Sequence, residues 1–205
     1  TLDRDIESVV AEAQAKIDQQ IDPPSGYHFV WGGSFENMQR AMARLKIIVP
    51  ITIGLIFILL FASFNSVRHA ALIIMNLPFA MIGGIVALWL TGEYLSVPAS
   101  VGFINLFGVA VLNGIVLVSY FNKLRKDGLQ SHEAIIKGCT LRLRPVLMTA
   151  LVALLGLIPL AFAHGIGSEV QRPLAVVVIG GLVSSTLLTL IVLPVLYQWL
   201  DRPDK

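Results

Sequence analysis

The 205-residue sequence is 56% hydrophobic and 14% charged, with a formal net charge of +2. Ordinary soluble domains carry roughly 25% charged residues, so this much apolar surface calls for a bilayer. The near balance of charge excludes a global basic field for nucleic acid, and the single cysteine, Cys139, excludes an internal disulfide or a thiolate cluster.

Taken in chain order, residues 1–46 are polar, with five Lys/Arg and seven Asp/Glu. Ile6, Val9, Val10, Ala13 and Ile17 recur at helical spacing, which predicts an amphipathic helix over Thr1–Gln20. Asp22-Pro23-Pro24-Ser25-Gly26 stops it in a turn. Tyr27–Trp31 reads as a short strand closed by Gly32-Gly33, and Ser34 stands where it caps the next helix. Helix, turn and strand form a small α+β piece with too little apolar material to fold alone. The chain opens on Thr1 without a leader and reads as cut from a longer one.

Five long apolar runs follow, at 47–64, 70–90, 97–121, 145–163 and 173–200. Each holds at least 18 residues and no Asp, Glu, Lys, Arg or His. About 20 such residues span a hydrocarbon core, so the expectation is five transmembrane helices in an otherwise all-α membrane protein. A buried helix of a large soluble protein is the alternative for one run, but a poor one for five in succession. Residues 201–205 form a short tail.

The gaps set the orientation. Lys123, Arg125, Lys126, Lys137, Arg142 and Arg144 crowd the gap 122–144, Arg68 lies in 65–69, and the tail holds Arg202 and Lys205. The opposite gaps hold Arg172 alone. Basic gaps stay inside, which puts the C-terminus in the cytoplasm and, with five spans, residues 1–46 outside. In a Gram-negative cell that is the periplasm. Within 122–144, Ser131 is placed to cap a surface helix through Ile135 and Ile136, and Pro145 to open the next span. The basic residues there suit anchors to anionic lipid headgroups.

Polar and small residues inside the spans are the candidate functional positions. Asn105, Gly108, Leu112 and Ser119 fall on one stripe of the third span, with Asn113 about a quarter-turn away. A buried amide in lipid needs a partner, so this stripe either borders an ion or proton path or serves as helix–helix glue. Glue is the commoner role. Gly181, Ser185 and Thr189 step by four along the last span and mark a helix-packing face. Pro78 and Pro159 are expected to bend their helices, and Gly83-Gly84 to add flexibility or closeness.

With no ionisable residue in any run, a proton carrier would have to come from elsewhere in the molecule. His28, His69, His132 and His164 are scattered among the gaps without metal-ligand spacing. Met38 and Met42 lie one helical turn apart, a spacing that suits packing more often than a soft metal. No nucleophile elbow, phosphate loop or carboxylate pair points to an enzyme, a bound metal or a cofactor.

Several stretches together resemble the C-terminal part of resistance-nodulation-division (RND) efflux pumps, over nearly the whole chain. Arg142-Leu143-Arg144-Pro145-Val146-Leu147-Met148-Thr149 is similar to the RxRPxxMT element that opens the eleventh transmembrane helix of that superfamily. Ser96–Ile104, Gly108–Gly114 and Glu169–Ala175 resemble the heavy-metal-efflux branch, of the cobalt-zinc-cadmium type. The resemblance implies that the five spans are helices eight to twelve of a twelve-helix protomer, and that residues 1–46 end a periplasmic porter subdomain. It implies a homotrimer in the inner membrane, joined to a periplasmic adaptor and an outer-membrane channel, that expels metal cations using the proton gradient. Membrane lipid and the N-terminal half of the same protomer are the remaining implied partners. Multidrug members carry a Lys immediately before the Asn that matches Asn113; here that residue is Leu112, so no relay lysine carries over. The competing readings are a multidrug or lipid exporter of the same superfamily, against which Leu112 and Ser96–Ile104 argue, and a membrane scaffold subunit that transports nothing.

Overall fold

In the computed structural model, residues 6–21, 24, 26, 29, 33–165 and 167–200 are described. They form seven helices: α1 (Ile6–Gln20), α2 (Ser34–Phe64), α3 (Val67–Ile74), α4 (Asn76–Thr91), α5 (Val97–Lys126), α6 (Ser131–Ala161) and α7 (Ser168–Leu200). Among the described residues there is no strand, so the α+β character expected of residues 1–46 has no support; Tyr27, His28, Val30 and Trp31 lie outside them. The chain divides into two compact units, Thr1–Ile48 and Val49–Lys205. In the first, α1 carries a Glu12–Lys16 ion pair at 2.7 Å, one turn apart on an exposed face.

Five helices are long and apolar enough to cross a membrane: Glu36–Phe64, Val67–Thr91, Val97–Lys126, Ser131–Ala161 and Ser168–Leu200. They contain four of the five apolar runs and all but the last two residues of the fourth, 145–163, and extend several of them into polar sequence. Residues of the polar lead-in and the first run share one helix, α2, with Pro50 inside it. The second span divides into α3 and α4 around Met75, three residues before Pro78. Pro78 has no N–H for the Ile74 carbonyl and its ring crowds that oxygen. The chain turns at Met75, whose N–H bonds the Ala71 carbonyl at 2.9 Å, and helix resumes at Asn76.

Pro145 does not open a helix. The expected surface helix and the fourth span are one continuous α6, with Pro145 and Pro159 inside it. A proline within a spanning helix is tolerated where neighbours and local adjustment re-satisfy the freed carbonyl. The gap 122–144 therefore shrinks to a short turn, with Gly128 at φ 95° in the left-handed region that glycine enters without penalty.

Helix α7 is the hub of the second unit and packs on α4, α5 and α6. Its crossing with α4 is built from the smallest side chains. A Cβ at Gly180 would meet the Ala87 methyl and lie 2.6 Å from the Gly83 carbonyl; one at Gly83 would lie 2.6 Å from the Gly180 carbonyl. Ser184 hydroxyl sits 3.2 Å from the Phe79 carbonyl across the crossing and 3.0 Å from that of Gly181 on its own helix. Backbones brought this close gain dispersion and polar contacts that larger side chains would forbid, which is how helices associate where lipid removes the hydrophobic drive. Gly83 and Gly84 thus supply closeness. Gly84 faces the Phe103 ring, 2.6 Å from where its Cβ would be.

Gly181, Ser185 and Thr189 lie on the buried side of α7. Gly181 backs onto Leu106 of α5 and the Ala80 carbonyl of α4. By contrast α2 and α6 present apolar outer faces that no described residue covers, including Ile51, Ile58, Leu151 and Val152. Leucine and isoleucine left outward along a whole helix suit lipid or further membrane helices.

Candidate functional site

Helix α5 is the element on which sequence and structure converge. Its inner arc, including Phe103, Leu106, Ala110, Leu117, Val118 and Phe121, is buried against its neighbours. A narrow strip remains outward: Asn105, Gly108, Leu112 (58% exposed) and Ser119 all lie on it. No atom comes within 4 Å of a Cβ built at Gly108. Among the described residues, no neighbouring helix packs on the strip at Gly108. Asn113, a quarter-turn round, is only 6% exposed. Its neighbour Gly114 backs onto Ile73, and the buried Asn76 amide lies 3.6 Å from where a Gly114 Cβ would be.

The strip runs at one end into a pocket of about 620 Å³ where α2, α3, α5 and α7 meet, with Ser119 in its wall. The pocket is organised by Tyr197, whose hydroxyl donates to Asn122 Oδ1 at 2.6 Å. The Tyr197 ring is stacked on His69 with centroids 5.6 Å apart and meets the edge of Phe121 at 5.0 Å. Phe64 closes the row at 6.1 Å from His69. Local sequence explains the placement. Asn65 takes a left-handed conformation (φ 49°), which asparagine tolerates, and turns the chain sharply after α2. Ser66 then caps α3, its hydroxyl accepting the His69 N–H at 3.5 Å, and fixes His69 in the first turn.

His69 and His132 fall between the apolar runs but are helical there and not in loops; His164 has no regular structure and His28 lies outside the described residues. The His69–Asn122–Tyr197 cluster was not legible beforehand because its members come from three helices. The signal that existed was Tyr197 and Gln198, polar residues near the end of an otherwise apolar run. Tyr197→Phe is expected to lower the melting temperature in detergent by roughly 2–4 °C, as loss of one buried hydrogen bond costs about 1 kcal/mol. A differential scanning measurement checks it; an unchanged melting curve would show that the bond holds nothing.

Two contacts use the charges that flank the spans. Arg172 Nε stands 3.1 Å from Glu93 Oε1, tying the start of α7 to the α4–α5 connection. Arg142, in the RLRP stretch, lies over the Tyr120 ring at 4.4 Å and joins α6 to α5, an attraction between cation and ring face. Beside it Gly138 lets α6 approach Phe121, whose ring is 2.5 Å from a built Cβ. Among the described residues, no three His, Cys, Asp or Glu side chains gather into a metal-binding group.

A bundle of long apolar helices held by a small-residue crossing defines a multi-pass membrane segment. The sequence profile of the AcrB/AcrD/AcrF family matches residues 1–201, and the chain belongs to that family. It is 54% identical over 202 residues to the cobalt-zinc-cadmium resistance protein CzcA of Cupriavidus metallidurans, covering 98% of this chain and 19% of that protein. It is 57% identical over 195 residues to the protein HelA of Legionella pneumophila, covering 95% and 18% respectively. A crystal structure of a heavy metal efflux pump superposes with a TM-score of 0.83 at 50% identity, covering 98% of this chain and 20% of that one. The chain thus spans about a fifth of the length of the relatives it matches.

Proposed function

We propose that this chain is the second-half membrane segment of an inner-membrane pump that exports heavy-metal cations by proton antiport. The observation that carries the reading is the 54% identity to a cobalt-zinc-cadmium resistance protein along 98% of the chain, RLRP stretch and five spans included. In this reading the spans are helices eight to twelve of the protomer, and residues 1–46 belong to a periplasmic porter subdomain. The pump is a homotrimer that works with an adaptor and an outer-membrane channel. The carboxylates that carry protons and the ligands that select the metal belong to the part of the pump outside these residues, because the apolar runs contain no acid. Leu112, where multidrug pumps have a lysine, favours metal export over multidrug export.

Charge supports a cytoplasmic C-terminus. Arg172, the one basic residue in the opposite gaps, is paired with Glu93, whereas the other end of the bundle gathers six Lys/Arg in 122–144. With cysteines introduced singly, Thr91→Cys is expected to react with an impermeant thiol reagent in intact spheroplasts, and Lys126→Cys only after lysis. The opposite pattern means an inverted topology.

The functional test is uptake of zinc, cobalt or cadmium into inverted vesicles that contain the full-length protein, under an imposed pH gradient. Gradient-dependent uptake is expected for the full-length protein and none for the 205-residue chain alone. No uptake by the full-length protein favours a scaffold subunit. Zinc export by the short chain would overturn the placement of the relay acids outside it.

A further inference from the structure

We propose that the His69–Asn122–Tyr197 pocket is a phosphate-binding site, occupied by the headgroup of an anionic phospholipid or by a soluble phosphate ester. Its walls supply one kind of chemistry. Lys123, Arg125 and Lys126 line it, and no acidic side chain does among the described residues. The Ser63, Ser66 and Ser119 hydroxyls add neutral hydrogen-bonding groups. Tyr197 donates to Asn122 Oδ1, which fixes the amide with its acceptor occupied and its NH2 group as the remaining donor. Cations plus an oriented amide donor select an anion with several oxygens.

The position selects a phosphate at headgroup depth. The pocket lies where the apolar run of α2 ends at Phe64 and that of α5 ends at Phe121, so its floor is at the boundary of the hydrocarbon region. The Phe64 ring and the His69–Tyr197 stack give it an apolar wall on which a glycerol backbone can rest. A volume of about 620 Å³ accommodates such a headgroup. A neighbouring hollow of about 210 Å³ shares Ser66, His69 and Tyr197 and adds Arg68, a further cation for a second phosphate oxygen. Lys137 and Arg144 belong to the same basic gap but line neither space.

The site is independent of which cation the protein exports. Native mass spectrometry of the full-length protein in detergent, titrated with phosphatidylglycerol or phosphatidylcholine of identical acyl chains, reads the binding directly. Phosphatidylglycerol is expected to bind in preference, and the Lys123→Gln/Lys126→Gln pair to weaken it about 30-fold while Lys137→Gln/Arg144→Gln leaves it unchanged. Asn122→Asp keeps the acceptor for Tyr197, and with it the fold, but puts a carboxylate in the pocket; it is expected to weaken phosphatidylglycerol about tenfold. Glycerol 3-phosphate distinguishes the sources. If it displaces the lipid and binds by itself, the occupant is a soluble phosphate ester; if it does neither while phosphatidylglycerol binds, the occupant is lipid. Equal binding of the two lipids with no glycerol 3-phosphate bound overturns the site. So does phosphatidylglycerol binding that Asn122→Asp leaves unweakened, or a preference that is lost with Lys137 and Arg144 instead of with Lys123 and Lys126.

Discussion

Gly180→Leu is expected to disrupt the packing of the second unit. The side chain would enter the α4–α7 crossing, where even a Cβ meets Ala87 and lies 2.6 Å from the Gly83 carbonyl. A clash with the end of a flexible side chain is relieved by a rotamer change. Here the obstacle is backbone on the facing helix, so the two helices must separate. Separation also breaks the contact of Ser184 hydroxyl with the Phe79 carbonyl and loosens Gly181 from Leu106. Overpacking a close contact costs about 3 kcal/mol at the upper end of the usual range, which lowers the melting temperature by roughly 6–12 °C for a chain of this size. Gly156→Leu is the control, since nothing lies within 4 Å of that position. Melting followed by tryptophan fluorescence in detergent checks the pair. Equal melting temperatures for the two variants would show that α4 and α7 do not meet at their glycines.

The second large effect belongs to the outward strip of α5 and separates folding from transport. Gly108→Leu is expected to leave the melting temperature of the 205-residue chain unchanged, because its side chain would enter open space. In the full-length pump the same change is expected to reduce metal export about tenfold, by holding off the helix that packs on this strip. Parallel repeats in transporters bring two halves together at a midplane interface, and a strip with Asn105 and Gly108 on it suits such a partner better than lipid. Leu112→Lys extends the test. If the strip borders the relay acids proposed for the first half, an ammonium on this face favours their ionised form. The acidic limb of the export–pH profile is then expected to move to lower pH. Export against pH for the two variants decides the matter. Normal export by Gly108→Leu with an unshifted profile for Leu112→Lys would make the strip a lipid-facing surface.

Both expectations begin with features that periodicity exposes, yet neither is readable from periodicity alone. Spacing placed Asn105, Gly108, Leu112 and Ser119 on one line, but which way α5 turns depends on α3, α4, α6 and α7 around it. The glycines of α4 illustrate the same limit. In sequence, Gly83-Gly84 suits a flexible point or a close approach equally, and only the presence of Gly180 and Ser184 opposite resolves it.

The five spans, their approximate limits and the packing face of α7 are local properties of the sequence. A bilayer demands about 20 consecutive apolar residues whatever lies beside them, and small residues four apart share a helix face by geometry. Helix continuity was less local: Pro145 reads as a start signal, but α6 runs through it, since a proline inside a spanning helix frees one carbonyl without having to end the helix. The His69–Asn122–Tyr197 cluster needed the fold entirely. Its residues are distant in the chain and carry no shared motif. What brings them together is the turn at Asn65, the cap at Ser66 and the docking of α7 on α3 and α5. Hydrophobic patterning fixes which residues enter the membrane, since that is decided residue by residue against lipid. Which polar groups meet there is decided by helix packing, which no single segment encodes.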